Sequence, residues 1–582
     1  MADASKRETR LQGQPTAGHS SPPDTVLELS DGTAAVPRKS SSSVIDETEQ
    51  LPQYPPVWEA GGLTAGLFLA LFCTSLDQTV LATAMPHIVD QFQSLEDIGW
   101  YSSSYLMAMS IVKMIWGVLY TFYPAKWMFL LGLATFEIGS LICGLAPSSA
   151  VLILGRCIAG IGGANVDTGA IVILMYVVPV PKQAMYMSFL GSVRGVTSAA
   201  GPPLGGLLTD RASWRWCFYI NLPCGAITFL CVWLLFSSKD RPSSGDLNWK
   251  EQLRNIDILG TFLLSAGLVS LLLALQWGGK AYHWGSWRII VLLVASAALL
   301  ALFCGVQIRL QNKALLPPRV LRNRNVVGAT WFVSCSTGAL LIFIYYLPIW
   351  FQVIKGASAS KSGVMLLPTE LGMVICSLLG GALVTVVGYY TPFLILSSVT
   401  TTIGAGMLST LKPNSGIGKW LGYQLLLSAG TGLGAQNAYL VAQVAVAKDD
   451  TIPTITILSF AQVLSGALCL AVTGSVFQGK VASSLNPVLP GMKDGDTSIQ
   501  GANVPWDQIP AQFQSAVLGA YNRAIIDMFY VGVALSAISL LGSLSLEFKS
   551  IRAHKSTENT THPTPNTSES GLQAEEKTRS GD

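Results

Sequence analysis

The chain has 582 residues, of which 50% are hydrophobic and only 12% are charged. That charged fraction is about half of what a soluble protein uses to cover its surface, so lipid must surround most of this chain. The formal net charge of +3 is small and no basic aromatic cluster appears, which argues against nucleic acid as a partner.

The first 56 residues are polar and rich in serine, proline and charge, which predicts a disordered tail and no cleavable signal peptide. A second polar tail covers 548–582. Between the tails, fourteen apolar windows are long enough to cross a bilayer core of about 30 Å as helices, which predicts an all-α membrane protein. The windows are 60–82, 99–120, 127–146, 149–176, 184–207, 216–236, 257–276, 288–308, 326–353, 363–386, 391–411, 420–444, 453–477 and 525–547.

Basic residues in the loops predict which side each loop faces. Loops 237–256 and 309–325 are rich in lysine and arginine, so the positive-inside rule places them and both termini in the cytoplasm. The longest loop, 478–524, then faces outward. Its apolar residues Phe513, Val517 and Tyr521 predict a short amphipathic helix there.

Two carboxylates lie within the first three windows. Asp77 belongs to the run Leu-Asp-Gln-Thr-Val at 76–80, and Glu137 lies in window 3. A carboxylate inside a span is costly unless it is paired, protonated or in contact with water, so Asp77 and Glu137 are candidates for proton coupling. The alternative is that Asp77 lies at the outer interface and only caps or solvates its helix.

Window 4 carries Arg156 at the start of the run Arg-Cys-Ile-Ala-Gly-Ile-Gly-Gly. This arginine is about 10 Å from the outer end of its span at 1.5 Å per residue, and Asp77 is at a similar depth in window 1. The two residues are therefore predicted to form an ion pair that binds and releases a proton as the protein changes conformation. A purely structural arginine is the alternative.

Window 5 ends in Gly-Pro-Pro-Leu-Gly-Gly, and an aromatic junction, Trp-Arg-Trp-Cys-Phe-Tyr-Ile at 214–220, follows it. Glycines allow two helices to approach closely, and proline removes a backbone donor and bends a helix. We therefore predict a role in gating and packing for Gly201, Pro202, Gly205 and Gly206. Arg194, in the same window, receives no role from the sequence.

Five further polar residues inside windows are candidates for lining a substrate cavity. The amides can form hydrogen bonds with a polar substrate, whereas the carboxylates could bind a cationic substrate or a second proton. Each carboxylate could equally form a hydrogen bond to a neighbouring helix. The five residues are Gln352, Gln436, Asn437, Asp167 and Glu370.

Together these motifs resemble the fourteen-spanner drug:proton antiporters of the major facilitator superfamily, of the fungal toxin and multidrug efflux type, over essentially residues 57–548. The resemblance implies the major facilitator fold, with six-helix bundles at 57–236 and 326–547 and an inserted helix pair within 237–325. It also implies that Arg156 takes part in proton coupling. The loop after window 2 departs from the family pattern, because Thr121 and Pro124 replace an acid and a glycine.

The predicted function is therefore proton-coupled export of small, largely hydrophobic compounds by alternating access, by a monomer in the plasma membrane. The alternative is a siderophore, amino-acid or polyamine transporter of the same fold, acting in plasma-membrane uptake or in vacuolar loading. An enzyme is disfavoured, because the five histidines are scattered and none of the ten cysteines forms a Cys-x-x-Cys pair. No phosphate-binding Walker motif is present, and no metal or cofactor is expected.

Overall fold

The computed structural model describes residues 56–94, 97–236, 257–278, 282–311, 314–485 and 511–551. Almost all of the two predicted tails and the whole of loop 237–256 lie outside these residues. In the described part the protein is α-helical, and β-structure is limited to two isolated bridges, Gly278–Tyr282 and Tyr389–Ser550.

Fourteen long helices form the described part of the chain, and we number them α1 to α14. They are Val57–Phe92, Ile98–Phe122, Ala125–Leu145, Ser149–Val177, Val180–Arg211, Asn221–Leu235, Ile258–Trp277, Trp287–Leu310, Arg324–Val353, Ala359–Val387, Thr391–Leu408, Ile417–Ala435, Thr451–Leu485 and Ala511–Leu544. Single α-helical turns lie at Trp216–Tyr219, Pro318–Leu321 and Val441–Val444, and short 3-10 helices at Asn437–Leu440 and Lys448–Asp450.

Twelve of the described helices are long and apolar enough to cross a membrane. The other two long helices, α5 and α12, coincide with predicted windows 184–207 and 420–444. Both are rich in glycine, and α5 also contains Arg194 and three prolines, which lowers their mean hydropathy. Twelve spans are thus supported by length and composition, and the predicted count of fourteen depends on these two helices.

Several helices differ from their windows. The predicted loop 478–524 is shorter than expected, because α13 continues to Leu485 and α14 begins at Ala511. The predicted amphipathic helix is the first part of α14, where Val517 and Tyr521 are buried and the Tyr521 ring lies 6.2 Å from that of Phe477 on α13. Window 12 is divided instead of continuous, since α12 ends at Ala435 and a 3-10 helix follows.

Glycines on α3 and α4 allow these two helices to pack closely. A Cβ added at Gly162 would overlap the backbone of Phe136 on α3 and would lie 2.7 Å from the carbonyl oxygen of Gly132. On the facing helix, Gly139 lies directly against the backbone of Ala159. Helices in lipid associate mainly through such close backbone approach, since burial of apolar surface drives little association there.

Helices α1 to α6 pack mainly among themselves, through the pairs α3–α4, α2–α4, α1–α5 and α1–α6. Helices α9 to α14 do the same, through α9–α14, α11–α12, α10–α12 and α9–α13. Helices α7 and α8 pack on each other, and α7 also contacts α2 and α13. The two large sets meet mainly along α5–α10 and α2–α13.

Among the described residues, the buried apolar clusters join the two sets at one end and remain separate at the other. One large cluster unites both sets at the end where α1 begins, with Leu63, Val384 and Ile455 among its members. At the opposite end, one cluster belongs to α1–α6 and includes Phe218, and a separate one belongs to α9–α14 and includes Trp350. We call these two ends the closed end and the split end.

Candidate functional site

A central cavity of about 290 Å³ lies between the two helix sets. This volume is close to the lower limit of sites that bind drug-sized ligands. Seven helices contribute to its wall, which exposes mainly apolar surface together with nine hydroxyl and three amide side chains. Lining residues include Gln78, Met109, Arg194, Leu341, Glu370, Gln436 and Gln462.

The structure brings Asp77 of α1 and Arg156 of α4 together. Arg156 donates from Nη1 to Asp77 Oδ2, and its Nε donates to the carbonyl oxygen of Tyr101 at 2.9 Å. The guanidinium carbon also lies 4.6 Å from the centre of the Tyr105 ring. Both charged side chains are almost completely buried, at 0% and 1% exposure. The sequence-based expectation of similar depth agrees with this contact.

One carboxylate oxygen of this ion pair, Asp77 Oδ1, is buried and has no hydrogen-bond donor among the described residues. Burial of two charges is costly, and it is offset only when the remaining lone pairs also find donors. The free lone pair on Asp77 Oδ1 is therefore a position where a proton can be accepted.

Glu137 lies in the interior of the same helix set but not in an ion pair. Neither of its carboxylate oxygens has a hydrogen-bond partner within the described residues, and the side chain packs directly against Gly225 of α6. A charged carboxylate without a partner is strongly disfavoured in an apolar interior. Glu137 is therefore a second place in α1–α6 where a proton can be held.

Asp167 forms a group with Lys113 and Arg194, which we call the charge triad. Asp167 Oδ2 lies 3.1 Å from Lys113 Nζ on α2 and 3.3 Å from Arg194 Nη2 on α5. Lys113 was not predicted as a site residue, although a lysine in the middle of an apolar window was a usable signal. Arg194 had no predicted role, because a single sequence does not show which residues of α4 and α5 are in contact.

The remaining cavity candidates divide into two groups. Glu370 and Gln436 line the cavity, and Glu370 Oε1 has no hydrogen-bond partner among the described residues. Gln352 and Asn437 are not among the lining residues. Gln352 donates to Ser362 Oγ at 3.1 Å, and Asn437 donates to the carbonyl oxygen of Leu433 at 2.7 Å.

The four residues predicted to act in gating and packing have different surroundings in α5. A Cβ at Gly201 would overlap the side chain of Thr79 on α1, whereas a Cβ at Gly206 would meet no atom within 4 Å. The carbonyl oxygen of Gly205 lies 4.0 Å from Cys217 Sγ. Pro202 lies inside α5, which continues to Arg211. Close packing in this motif therefore rests on Gly201 and not on Gly206.

We expect Gly201→Ala to lower the free energy of unfolding by about 1–3 kcal/mol, because α1 and α5 must move apart. Gly206→Ala is the matched control in the same motif. It is expected to be neutral or to stabilise by up to about 1 kcal/mol, because alanine favours the helix and has room there. Thermal unfolding of the purified variants measures both effects, and equal stability of the two would contradict this assignment.

The aromatic junction after α5 ties three helices together at the split end. Arg215 donates to Gln91 Oε1 at 3.1 Å and to the carbonyl oxygen of Ala146 at 3.0 Å, and it stacks on Trp214 with 4.5 Å between cation and ring centre. These contacts join the ends of α1, α3 and α5. The junction is therefore a structural brace within α1–α6, located away from the cavity.

The loop that departs from the family pattern has no ion pair within the described residues. Thr121 donates to the carbonyl oxygen of Gly117, and Lys126 donates to the carbonyl oxygen of Trp233 at 2.5 Å. Gly117 itself packs against Thr456 of α13. At this point the two helix sets are held by close packing between α2 and α13.

A cavity between two sets of membrane helices that join at one end defines a multi-pass membrane transporter. The family model described as Major Facilitator Superfamily matches residues 67–470. The chain belongs to the major facilitator superfamily. This membership confirms the predicted all-α fold and the prediction of a transporter rather than an enzyme.

Relatives and a solved structure agree with this assignment. MFS-type transporter ungB from Aspergillus violaceofuscus is 51% identical over 507 residues, which cover 87% of this chain and 92% of that protein. Efflux pump roqT from Penicillium rubens is 46% identical over 537 residues, covering 91% and 98%. The solved proton:xylose symporter XylE has a TM-score of 0.56 at 13% identity, covering 85% of this chain and 99% of its own, which shows the shared fold.

Proposed function

We propose that this protein is a proton-coupled efflux pump that exports small, largely hydrophobic compounds such as secondary metabolites or drugs. The central cavity carries this conclusion, because it is mainly apolar, lies between two helix sets and is closed at one end. The similarity to an efflux pump over nearly the whole chain supports export as the direction.

Transport proceeds by alternating access. The contacts that must break to open the closed end are those of α5 with α10 and of α2 with α13. They include Gly195 against Glu370 and Gly381 against Ser188, where small residues allow the helices to separate without leaving large side chains unpacked. The contacts within each set are far more extensive, which favours movement of each set as one body.

Proton coupling is assigned to Asp77 and Arg156, with Glu137 as a further proton-holding group. Protonation of Asp77 removes its charge and leaves Arg156 with only the Tyr101 carbonyl and the Tyr105 ring. The free-energy change on losing a buried ion pair is large compared with the free-energy difference between two conformations of a protein. The pair is therefore able to bias the transporter between its two states when it gains or loses a proton.

We further propose fourteen spans, with α5 and α12 as the two that composition alone does not identify. The packing of the helices supports the proposed division into bundles at 57–236 and 326–547, with the α7–α8 pair between them. Both termini face the cytoplasm of a monomer in the plasma membrane. The closed end then faces the cytoplasm, and the described conformation is outward-facing.

Retention of fluorescent apolar compounds in cells with and without the protein tests this function. We expect cells that make the protein to retain less compound, and we expect the difference to disappear when a protonophore collapses the gradient. Asp77→Asn is expected to behave like the absence of the protein. Higher retention in producing cells would indicate uptake instead, and export without a gradient would exclude proton coupling.

A further inference from the structure

The charge triad has one more positive than negative charge. The two cations Lys113 and Arg194 both contact the same oxygen of Asp167. Lys113 is 1% exposed, whereas Arg194 is 48% exposed. Because both cations contact Asp167, this carboxylate is already paired, and the charge triad itself has a formal excess of one positive charge.

The guanidinium of Arg194 has more N–H donors than its hydrogen bond to Asp167 uses. A guanidinium has five N–H groups in a planar fork that matches the two oxygens of a carboxylate. One hydrogen bond of this side chain, to Asp167, is formed within the described residues. Arg194 lines both the central cavity and an adjoining pocket of about 50 Å³, so its remaining N–H groups are within reach of a molecule bound in the cavity.

The surroundings of Arg194 leave this position open to an anion. Among the described residues that line the cavity, the only other ionisable side chain is Glu370. Glu370 forms no ion pair there and lies within hydrogen-bonding reach of Ser198, one helical turn from Arg194 on α5. The rest of the wall is rich in apolar side chains, including Leu106, Met109, Leu340, Leu341 and Ile344.

An excess cation in a membrane interior is costly, and an anionic ligand group offsets that cost. We propose that Arg194 binds a single acidic group on an otherwise apolar cargo, so that the preferred substrates are amphiphilic acids such as aryl carboxylates. This inference rests on the proposed function, because it names the substrate class of the same cavity. Asp167 and Lys113 position the guanidinium, and the apolar wall holds the carbon skeleton.

Binding of three probes with one skeleton tests the inference. The probes are 2-naphthoate, 2-naphthamide and 2-naphthylmethyl-trimethylammonium, with equilibrium dialysis against the full chain in phosphatidylcholine nanodiscs at neutral pH. We expect the wild type to bind the carboxylate about 10-fold or more tightly than the amide, as for a charge-assisted hydrogen bond. Arg194→Gln is expected to abolish this preference, and Arg194→Lys to keep part of it.

Arg215→Gln is the matched control, since this arginine braces the split end and does not line the cavity. It is expected to keep the full preference for the carboxylate. The inference is overturned if the wild type binds the amide or the ammonium probe as tightly as the carboxylate. It is equally overturned if Arg194→Gln keeps the preference.

A second measurement separates this inference from the proposed function. Proteoliposomes with an imposed pH gradient report countertransport of the neutral amide, which does not depend on an acidic group. Countertransport together with no preference for the carboxylate overturns only the role of Arg194. A carboxylate preference that depends on Arg194, without any countertransport by the wild type, supports the binding site and contradicts the function as a proton-driven pump.

Discussion

Arg156→Gln is expected to lower the free energy of unfolding by about 3–5 kcal/mol, the cost of leaving a buried charge without its partner. Asp77 is completely buried beside Arg156, so the variant leaves a carboxylate in the bundle interior without its ion pair. Proton-driven export is expected to stop. Denaturant titration of the purified protein in mixed micelles measures the first effect, and vesicle transport measures the second.

The double variant Asp77→Asn with Arg156→Gln separates stability from coupling. Removal of both charges eliminates the unpaired group, so most of the lost stability is expected to return. Proton-driven export is expected to remain absent, because no group in the pair can change its charge. Arg211→Gln, at the exposed end of α5, is the control and should change stability by no more than about 0.5 kcal/mol. Export driven by a pH gradient in the double variant would rule out this pair as the coupling site.

Gly162→Ala is expected to destabilise the protein by about 3 kcal/mol, at the upper end of the usual cost of overpacking. The added methyl group would meet the backbone of Phe136 and the carbonyl of Gly132, and backbone atoms cannot rotate away as a side chain can. Helices α3 and α4 must therefore separate, which also disturbs Arg156 two turns away on α4. The yield of folded protein and the thermal unfolding temperature measure the effect.

Gly406→Ala provides the comparison for this substitution. Gly406 also lies inside a long helix, α11, but a Cβ there would meet no atom within 4 Å. Alanine is the better helix former, so this variant is expected to be stabilised by up to about 1 kcal/mol. If both glycine variants unfold at the wild-type temperature, close approach of α3 and α4 at Gly162 is not a determinant of the fold.

Much of the fold could be predicted because lipid imposes a simple rule on the sequence. A segment that crosses the bilayer must satisfy its own backbone hydrogen bonds, so about 20 apolar residues are enough to recognise a helix. Helix ends followed this rule less closely. Helix α14 begins at Ala511, well before its predicted window at 525–547, because Val517 and Tyr521 find a protein surface to pack on.

The candidate site could be predicted only where depth in the membrane was informative. Asp77 and Arg156 lie at similar depth on helices that run in opposite directions, and the structure places them in contact. Gln352 and Asn437 are polar residues in apolar windows as well, yet they form hydrogen bonds with nearby helix residues outside the cavity lining. A polar residue in a span indicates that a partner is needed, but not which partner.

The sequence alone determined that this chain lies in a membrane, that it is helical, and that Asp77, Glu137 and Arg156 are ionisable residues within predicted spans. These properties follow from local composition, because transfer of a residue into lipid is favourable or costly regardless of its neighbours. Only the tertiary structure decided that Lys113 and Arg194 contact the same carboxylate oxygen of Asp167, and that the two helix sets are joined at one end. Those facts depend on which helices are adjacent, and adjacency is set by packing between segments far apart in the chain.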